Sequence, residues 1–551
     1  MDHCKKFLLP RHRLSLNVFF MIVLSVLIPA LFWHAPKWWS SDDLQILKHA
    51  ITNKWLEWFF SPEVWSELSR SNLTPWVSLS YRIDYWLFGF NPLPFYLHQW
   101  FSLGLLLALF YMLCRNWLTP FSSASAVLVL LLSRPVMMAG HVLWIRHYVE
   151  GLIFALVATL FFLRADTNNT VKYWGGFFFL LACTAKEIYV PLPIVLLFLP
   201  ITDIRDRLVR LWPMLLGITL YVMWRFWMLK GLGGYGKGLN LNDIFELPKS
   251  ILLMTGFNNV WSCILGLTFI FLWLWQSTRQ WKIFVIMMLG ASTIPLIPVS
   301  GMMDVRYILL HAVLLSLLIG WVVHQSHRWS FGTIKGCGIA VASVLLIVLL
   351  FQSNLQDWRR YLLSDLKKIR TEGIYLLKDG NEGEYLVHTG GPPWFYSGLE
   401  WFRSHVMNRD SGPKILFDEY DILNSDRDSS FTGYFYSNDN RRLEKISNTH
   451  EIFKKLYGEL KEQEPLHLKM TYSDETLTWF FGPWEEGRYT ILMNEASFDM
   501  PHQGSHSVSI NDNVFVRLRY ISPDNWRTYS PKLLLKIDNG KGRLHWKNSN
   551  S

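Results

Sequence analysis

Asp42-Asp43 is the pair of side chains in this 551-residue sequence whose type and setting best suit catalysis. The acids follow the first long hydrophobic run, Ser15 to Trp33, by nine residues. Lys5, Lys6, Arg11 and Arg13 precede that run, so the positive-inside tendency keeps the N-terminus in the cytoplasm and delivers the acids to the other side. A carboxylate there suits a general base working at a membrane surface. Further ionisable residues stand at the ends of apolar runs or inside them, where charge is costly and therefore often functional. They are Arg82, His98, Arg134, His141, Arg146, His147, Glu150, Lys186, Glu187, Arg225, Asp304 and Arg306. Each has a bland reading: a terminal arginine snorkels to headgroups, and Lys186 beside Glu187 forms a local ion pair. Together they form a cation-rich set on a face where the positive-inside tendency expects few. Arginine and lysine hold phosphate by charge-assisted hydrogen bonds, while an aspartate takes the proton of an incoming hydroxyl. The combination suits transfer of a group from a phosphorylated lipid whose tail lies between helices.

The elements that must position these residues are apolar helices. Half of the residues are hydrophobic and 17% are charged. A span needs about 20 mainly apolar residues, and candidates lie near 15–33, 95–113, 122–139, 148–163, 173–184, 189–200, 213–229, 260–276, 283–299, 307–323 and 336–352. The short pair at 173–184 and 189–200 is divided by Thr184-Ala185-Lys186-Glu187. Basic residues on either side (Arg164 and Lys172 before, Arg205, Arg207 and Arg210 after) require an even number of crossings between them. Eleven spans from a cytoplasmic N-terminus place residues 353–551 on the side of Asp42. Trp33-His34-Ala35-Pro36 is a poor cleavage site, so the first span reads as an anchor.

The expected fold is a polytopic α-helical membrane domain, 1–352, with an outer loop 34–94, followed by an extracytoplasmic, mainly β (α+β) domain, 353–551. The outer loop is aromatic: Trp38, Trp39, Trp55, Trp58, Phe59, Phe60, Trp65 and Trp76 read mostly as an interfacial belt. A loop at 230–258 begins Lys230-Gly231-Leu232-Gly233-Gly234-Tyr235-Gly236, flexible enough for a lid. Residues 353–380 read as a polar connector. Beyond about 465 short alternating segments argue a sandwich, which would serve as a scaffold or bind carbohydrate.

The five cysteines, at 4, 114, 183, 263 and 337, imply neither a disulfide framework nor a cysteine metal site. A cysteine-free exported domain suits a bacterial cytoplasmic membrane, with the endoplasmic reticulum as alternative. The net charge of +10 falls largely in cytoplasmic loops and at helix ends, where orientation and anionic lipid account for it, and no nucleic-acid motif accompanies it.

Several segments together resemble the GT-C superfamily of polyprenyl-phosphate-sugar-dependent glycosyltransferases, especially the protein O-mannosyltransferase group. Asp42-Asp43-Leu44-Gln45-Ile46 is similar to the acidic motif of its first outer loop. Leu79-Ser80-Tyr81-Arg82, Asp84 to Pro92 and Phe95-Tyr96-Leu97-His98 resemble the entry to its second span, and Val142 to Arg146 the start of its fourth. Lys186-Glu187 with Pro191 and Pro193 resembles a helix-breaking Lys-Glu motif. Tyr221 to Arg225, Gly233-Gly234-Tyr235 and Arg306-Tyr307 complete the order, over roughly residues 10–350. Arg134-Pro135 departs from the His-Pro of many relatives.

The resemblance implies an integral-membrane glycosyltransferase that inverts the anomeric carbon, with one aspartate as base. Asp42 is favoured, Asp43 orienting it, and the reverse assignment stays open. Arg82, Arg146, Lys186, Arg225 and Arg306 become candidate ligands or organisers of the donor phosphate, with His98, His141, Glu187 and Tyr235 in support. No metal and no cofactor are expected; the partners are a lipid-linked sugar donor, membrane lipids, and a glycan, lipid or protein acceptor. The rival readings are a transporter or flippase for a lipid-linked glycan and a noncatalytic assembly subunit.

Overall fold

The computed structural model describes residues 23–24, 26–165, 170–231, 241–257, 259–328, 341–342, 344–346, 348–350, 352, 363–387, 393–416, 432–446, 448–461, 464–493, 496–507, 513–538 and 540–547. The chain divides between Lys367 and Lys368 into two compact units.

The first unit is helical. Among the described residues, four helical stretches are long and apolar enough to cross a membrane: Pro92–Cys114, Arg146–Arg164, Arg279–Ser300 and Val305–Gln325. Shorter apolar helices stand at Pro120–Leu131, Val171–Ala185, Glu187–Leu197 and Val260–Trp275. These make the chain an integral membrane protein. In order, the helices are α1 (Asp43–Thr52), α2 (Trp55–Phe60), α3 (Pro62–Leu68), α4 (Pro75–Phe88), α5 (Pro92–Cys114), α6 (Pro120–Leu131), α7 (Arg134–Ala139), α8 (Arg146–Arg164), α9 (Val171–Ala185), α10 (Leu192–Leu197), α11 (Ile204–Leu229), α12 (Leu241–Met254), α13 (Val260–Gln276), α14 (Arg279–Thr293) and α15 (Leu309–Arg328). Parts of the expected spans 15–33 and 336–352 lie outside the described residues.

Local sequence explains the interruptions. The stretch expected at 122–139 breaks at Leu132-Ser133, where Pro135 opens α7 in its first turn. Between α9 and α10, Lys186 is extended (φ −159°, ψ 135°) and Glu187–Tyr189 form one 3₁₀ turn, with Pro191 and Pro193 restarting the helix. The basic residues Arg205, Arg207 and Arg210, expected in a loop, lie in the first turns of α11. Gly176 lets α9 approach α11 closely, since a Cβ there would meet Pro213 at 2.8 Å.

Helices α1 to α4 form a cap built on buried aromatics rather than an interfacial belt. Trp39, Trp58 and Trp65 are fully buried, while Trp55 and Phe60 remain exposed. His49 fastens the cap: Nδ1 lies 3.2 Å from Ser78 Oγ on α4 and Nε2 3.0 Å from the Val64 carbonyl on α3. Burial lowers its pKa, which favours the neutral ring such a bridge requires.

The second unit is β-rich. A small mixed sheet runs β2-β1-β3-β4, formed by Lys414–Leu416, Glu384–Val387, Thr432–Ser437 and Arg442–Ile446. Two further sheets face each other. One runs β10-β7-β6-β15-β14, built from Gln503–Ser507, Thr476–Gly482, His467–Ser473, Lys541–Lys547 and Ile537–Asp538. The other runs β5-β12-β11-β8-β9 with β13 on β11, using Glu459–Leu460, Trp526–Tyr529, Val514–Ile521, Arg488–Met493, Ala496–Met500 and Leu533–Leu535. Alternate residues of both sheets, among them Leu468, Met470, Phe481, Ile491, Val516 and Leu518, share one core.

Candidate active site

The acid pair sits at the start of α1, and the two acids have different environments. Ser41 adopts a left-handed conformation (φ 47°), unusual for a residue with a side chain, and turns the chain into the helix. That turn folds Asp43 back onto Ser40, whose backbone N–H donates to Asp43 Oδ2 at 2.7 Å, with the Ser40 hydroxyl at 3.3 Å. The other oxygen, Oδ1, accepts from the Tyr81 hydroxyl at 2.7 Å. Asp43 is completely buried, and that burial pushes its pKa up to about 7 against the opposing hydrogen bonds from Tyr81 and Ser40. Asp42 is half-buried at the helix N-cap, its carbonyl accepting the first helical hydrogen bond from Ile46 and its Oδ1 lying 3.3 Å from the Ser41 hydroxyl. Asp42 therefore retains the accessibility that contact with an acceptor demands, whereas both oxygens of Asp43 are engaged inward.

Tyr81 joins Asp43 to a buried charge cluster. The Arg146 guanidinium lies 4.9 Å from the Tyr81 ring centre, within cation–π range. Arg146 opens α8 and is fully enclosed; its Nη1 donates to Asp84 Oδ2 at 2.5 Å and Ser80 Oγ at 3.2 Å, its Nη2 to the Phe95 carbonyl at 2.7 Å. His98 Nδ1 stands 2.9 Å from Asp84 Oδ1, and its Nε2 lies 3.5 Å from Glu150 Oε1. Glu150 accepts from Ser80 Oγ and Trp76 Nε1, each at 2.8 Å. The spacing on α4 makes this possible: Trp76, Ser80 and Asp84 recur every four residues and share one face, with Tyr81 beside them.

A second cationic group gathers around Tyr148, in the same first turn of α8. Lys186 is nearly buried, with Nζ 5.2 Å from the Tyr148 ring centre and 3.4 Å from Glu187 Oε1. The Arg306 guanidinium lies 4.4 Å from the Trp144 ring centre, its Nη2 donates to the Tyr307 hydroxyl at 3.2 Å, and Nε stands 3.8 Å from Asp304 Oδ2. Tyr307 and Tyr148 bring their ring centres to 6.3 Å, closing the group. The break after α9 thus turns Lys186 inward, and Asp304, by capping the backbone N–H of Arg306 at 3.1 Å, sets the turn that presents Arg306.

A cavity of about 470 Å³ lies among α5, α8, α10, α14 and α15. Its walls are mainly apolar, including Leu152, Leu156, Leu196, Phe284 and Leu314. Ile188 and Tyr189, adjoining Lys186-Glu187, line it, and the Tyr189 hydroxyl donates to the Tyr148 carbonyl. Neither Asp42 nor Asp43 lines this cavity.

The remaining expected residues are scattered. Arg82 points its Nη1 toward the carbonyls of Ala50 and Ile51, both at 3.4 Å, at the C-terminal end of α1 where a cation satisfies helix carbonyls. Arg225 donates to the Tyr221 hydroxyl at 3.2 Å and approaches the Ser71 carbonyl at 3.5 Å. His141 is buried against Phe32 with Nδ1 2.6 Å from the Met137 carbonyl; burial lowers its pKa to about 3 and keeps the ring neutral. Tyr235 lies outside the described residues. Tyr81, Asp84 and Ser40 are site residues that the sequence reading did not single out, although Tyr81 and Asp84 stand in segments that resemble the entry to the second span. Among the described residues, no group of three or more His, Cys, Asp and Glu side chains is placed to hold a metal ion.

No protein-family model matches the chain, and no curated protein matches it. Among solved structures it is similar to ArnT from Cupriavidus metallidurans in the apo state, at 13% identity and a TM-score of 0.37, over 76% of this chain and 93% of that one. It is similar also to the same protein bound to undecaprenyl phosphate, at 12% identity and a TM-score of 0.38, over 77% and 93% of the two chains.

Proposed function

We propose that this protein is a GT-C-type glycosyltransferase of a bacterial cytoplasmic membrane, transferring a sugar from a polyprenyl-phosphate donor to an acceptor hydroxyl on the extracytoplasmic face. The observation that carries the reading is that the first turn of α8 serves both chemical requirements. Arg146 backs the acid pair through Tyr81, and its neighbours His147 and Tyr148 lead to Lys186 and Arg306. The apolar cavity adjoining Lys186 offers room for a lipid tail.

In the proposed step the Asp42 carboxylate takes the proton of the acceptor hydroxyl. The hydroxyl oxygen forms a bond to the anomeric carbon from the face opposite the phosphate, and the carbon–oxygen bond to phosphate breaks. The bonding pair leaves with the polyprenyl phosphate, so the anomeric centre inverts. Lys186 and Arg306 offset the charge that develops on the departing phosphate. Asp43, fixed by Ser40 and Tyr81, holds the helix turn from which Asp42 projects, and Arg146 acts as an organiser rather than a phosphate ligand. The step draws on side chains alone, without a metal.

The test is transfer by the purified full-length protein from a polyprenyl-phosphate sugar to an envelope glycan. Asp42→Asn is expected to abolish transfer while donor binding persists. Retained transfer in Asp42→Asn, or glycan movement without formation of a new glycosidic bond, would overturn the reading.

A further inference from the structure

One face of the second unit has a composition that core packing does not explain. The strands β10, β7, β6 and β15 contain no Asp or Glu residue. Alternation sends Leu468, Met470, Trp479 and Phe481 into the core and their neighbours outward. Outward, Phe480 is 43% exposed, an aromatic ring where a solvated strand normally carries a polar residue.

The register gathers cations around that ring. Phe480 pairs with Lys469 on β6, and Lys469 pairs in turn with His545 on β15. In the adjacent rows His467 pairs with Lys547, and Thr471 with Arg543. The His467 ring stacks near Phe480 with centres 5.7 Å apart, and His502 stands edge-on at 6.4 Å. Lys469, Arg543 and Lys547 thus occupy neighbouring rows of one outward face. Partial burial, and after it Lys547 and His545, lower the pKa of His467. No salt bridge relieves Lys469, Arg543 or Lys547 among the described residues. A surface of one charge sign attracts counter-charged ligands.

We propose that this sheet face binds an anionic sugar chain, one bearing phosphate or carboxylate groups. The exposed Phe480 ring offers an apolar platform for the C–H face of a sugar. Thr471, Thr478 and Gln503, beside it on the same face, supply neutral hydrogen-bonding groups for sugar hydroxyls. Lys469 and Arg543 meet the anionic substituents. A membrane surface is the less fitting occupant: the exposed apolar group here is one ring, Phe480, without the aliphatic row that inserts among lipids.

The experiment measures binding to the full-length protein in detergent, with no sugar donor present, so it is independent of the transfer reading. Oligogalacturonate is the anionic probe, maltodextrin its neutral counterpart, and phosphatidylglycerol vesicles the lipid probe. Oligogalacturonate is expected to bind at least about tenfold more tightly than maltodextrin, and both Phe480→Ala and the pair Lys469→Glu with Arg543→Glu to weaken it about tenfold or more. Unchanged melting temperatures verify that these surface variants fold. Three results each overturn the proposal: unchanged affinity in the charge-reversed pair, unchanged affinity in Phe480→Ala, or vesicle binding that exceeds oligogalacturonate binding and is lost in the same variants.

Discussion

The Tyr81 hydroxyl donates a 2.7 Å hydrogen bond to Asp43 across 38 residues of sequence, and the far side of its ring faces the Arg146 guanidinium. A phenol here is the link between an acid at the start of α1 and a cation on a spanning helix. Tyr81→Phe keeps the ring and removes the link, leaving a buried carboxylate short of one donor. The expected cost is about 1–3 kcal/mol. Because that hydrogen bond lowers the Asp43 pKa, its loss moves the pKa further up from about 7. The check is thermal unfolding across pH: the Tyr81→Phe profile should be displaced to higher pH than that of the parent.

Asp43 also makes stability depend on pH in a defined direction. Its folded pKa of about 7 exceeds the ordinary carboxyl value of 3.8, so the folded state retains the proton that the unfolded chain releases. Its contribution is fully present below the lower value and is lost as pH rises toward 7. A melting temperature falling by a few degrees over this interval, with the slope reduced in Asp43→Asn, is the expected result.

Arg146 is enclosed with Asp84, and removing one partner strands the other. Arg146→Leu is expected to destabilise the protein by about 3–5 kcal/mol, the usual result of leaving a buried charge unpaired. The double variant Arg146→Leu with Asp84→Leu should recover part of that loss. Detergent-phase melting of the two single variants and the double variant measures the coupling directly; independent, additive losses would refute the pairing.

Gly151 on α8 faces Tyr189, and a Cβ there would stand 2.4 Å from its ring. Gly151→Ala therefore has to displace an aromatic ring that lines the large cavity, at an expected cost of about 1–3 kcal/mol. Polyprenyl-phosphate binding should weaken in parallel, and the added Tyr189→Leu should restore the melting temperature. Affinity measured for the single and double variants tests both halves.

Chelation addresses the metal-free step. Transfer by protein treated with excess EDTA, then assayed in metal-free buffer, is expected to remain within about twofold of the untreated rate. Loss of activity restored by one divalent ion would require the step to be rewritten.

The sequence exposes the interruption at Lys186 because two charges and two prolines within eight residues cannot continue an apolar helix. The β-rich texture beyond residue 465 is legible for a similar local reason: strict alternation in segments such as His467–Ser473 has a single structural meaning. The site resisted reading because its contacts are remote. Tyr81 and Asp84 look like ordinary entry residues of a span until α4 lies against α1 and α8. Trp58 and Trp65 carry the same local pattern whether they bathe in headgroups or enclose His49, and only packing distinguishes these. Arg82 likewise reads as a phosphate candidate until the end of α1 is placed beside it.

Arg146 and His147 are consecutive, and consecutive side chains of an α-helix point about 100° apart. The first turns inward to the Tyr81 and Asp84 cluster, while its neighbours His147 and Tyr148 attend Lys186 and Arg306. The two halves of the site are thus geared on one shaft. A small roll of α8 that eased the phosphate side would advance or withdraw the acid side at the same instant.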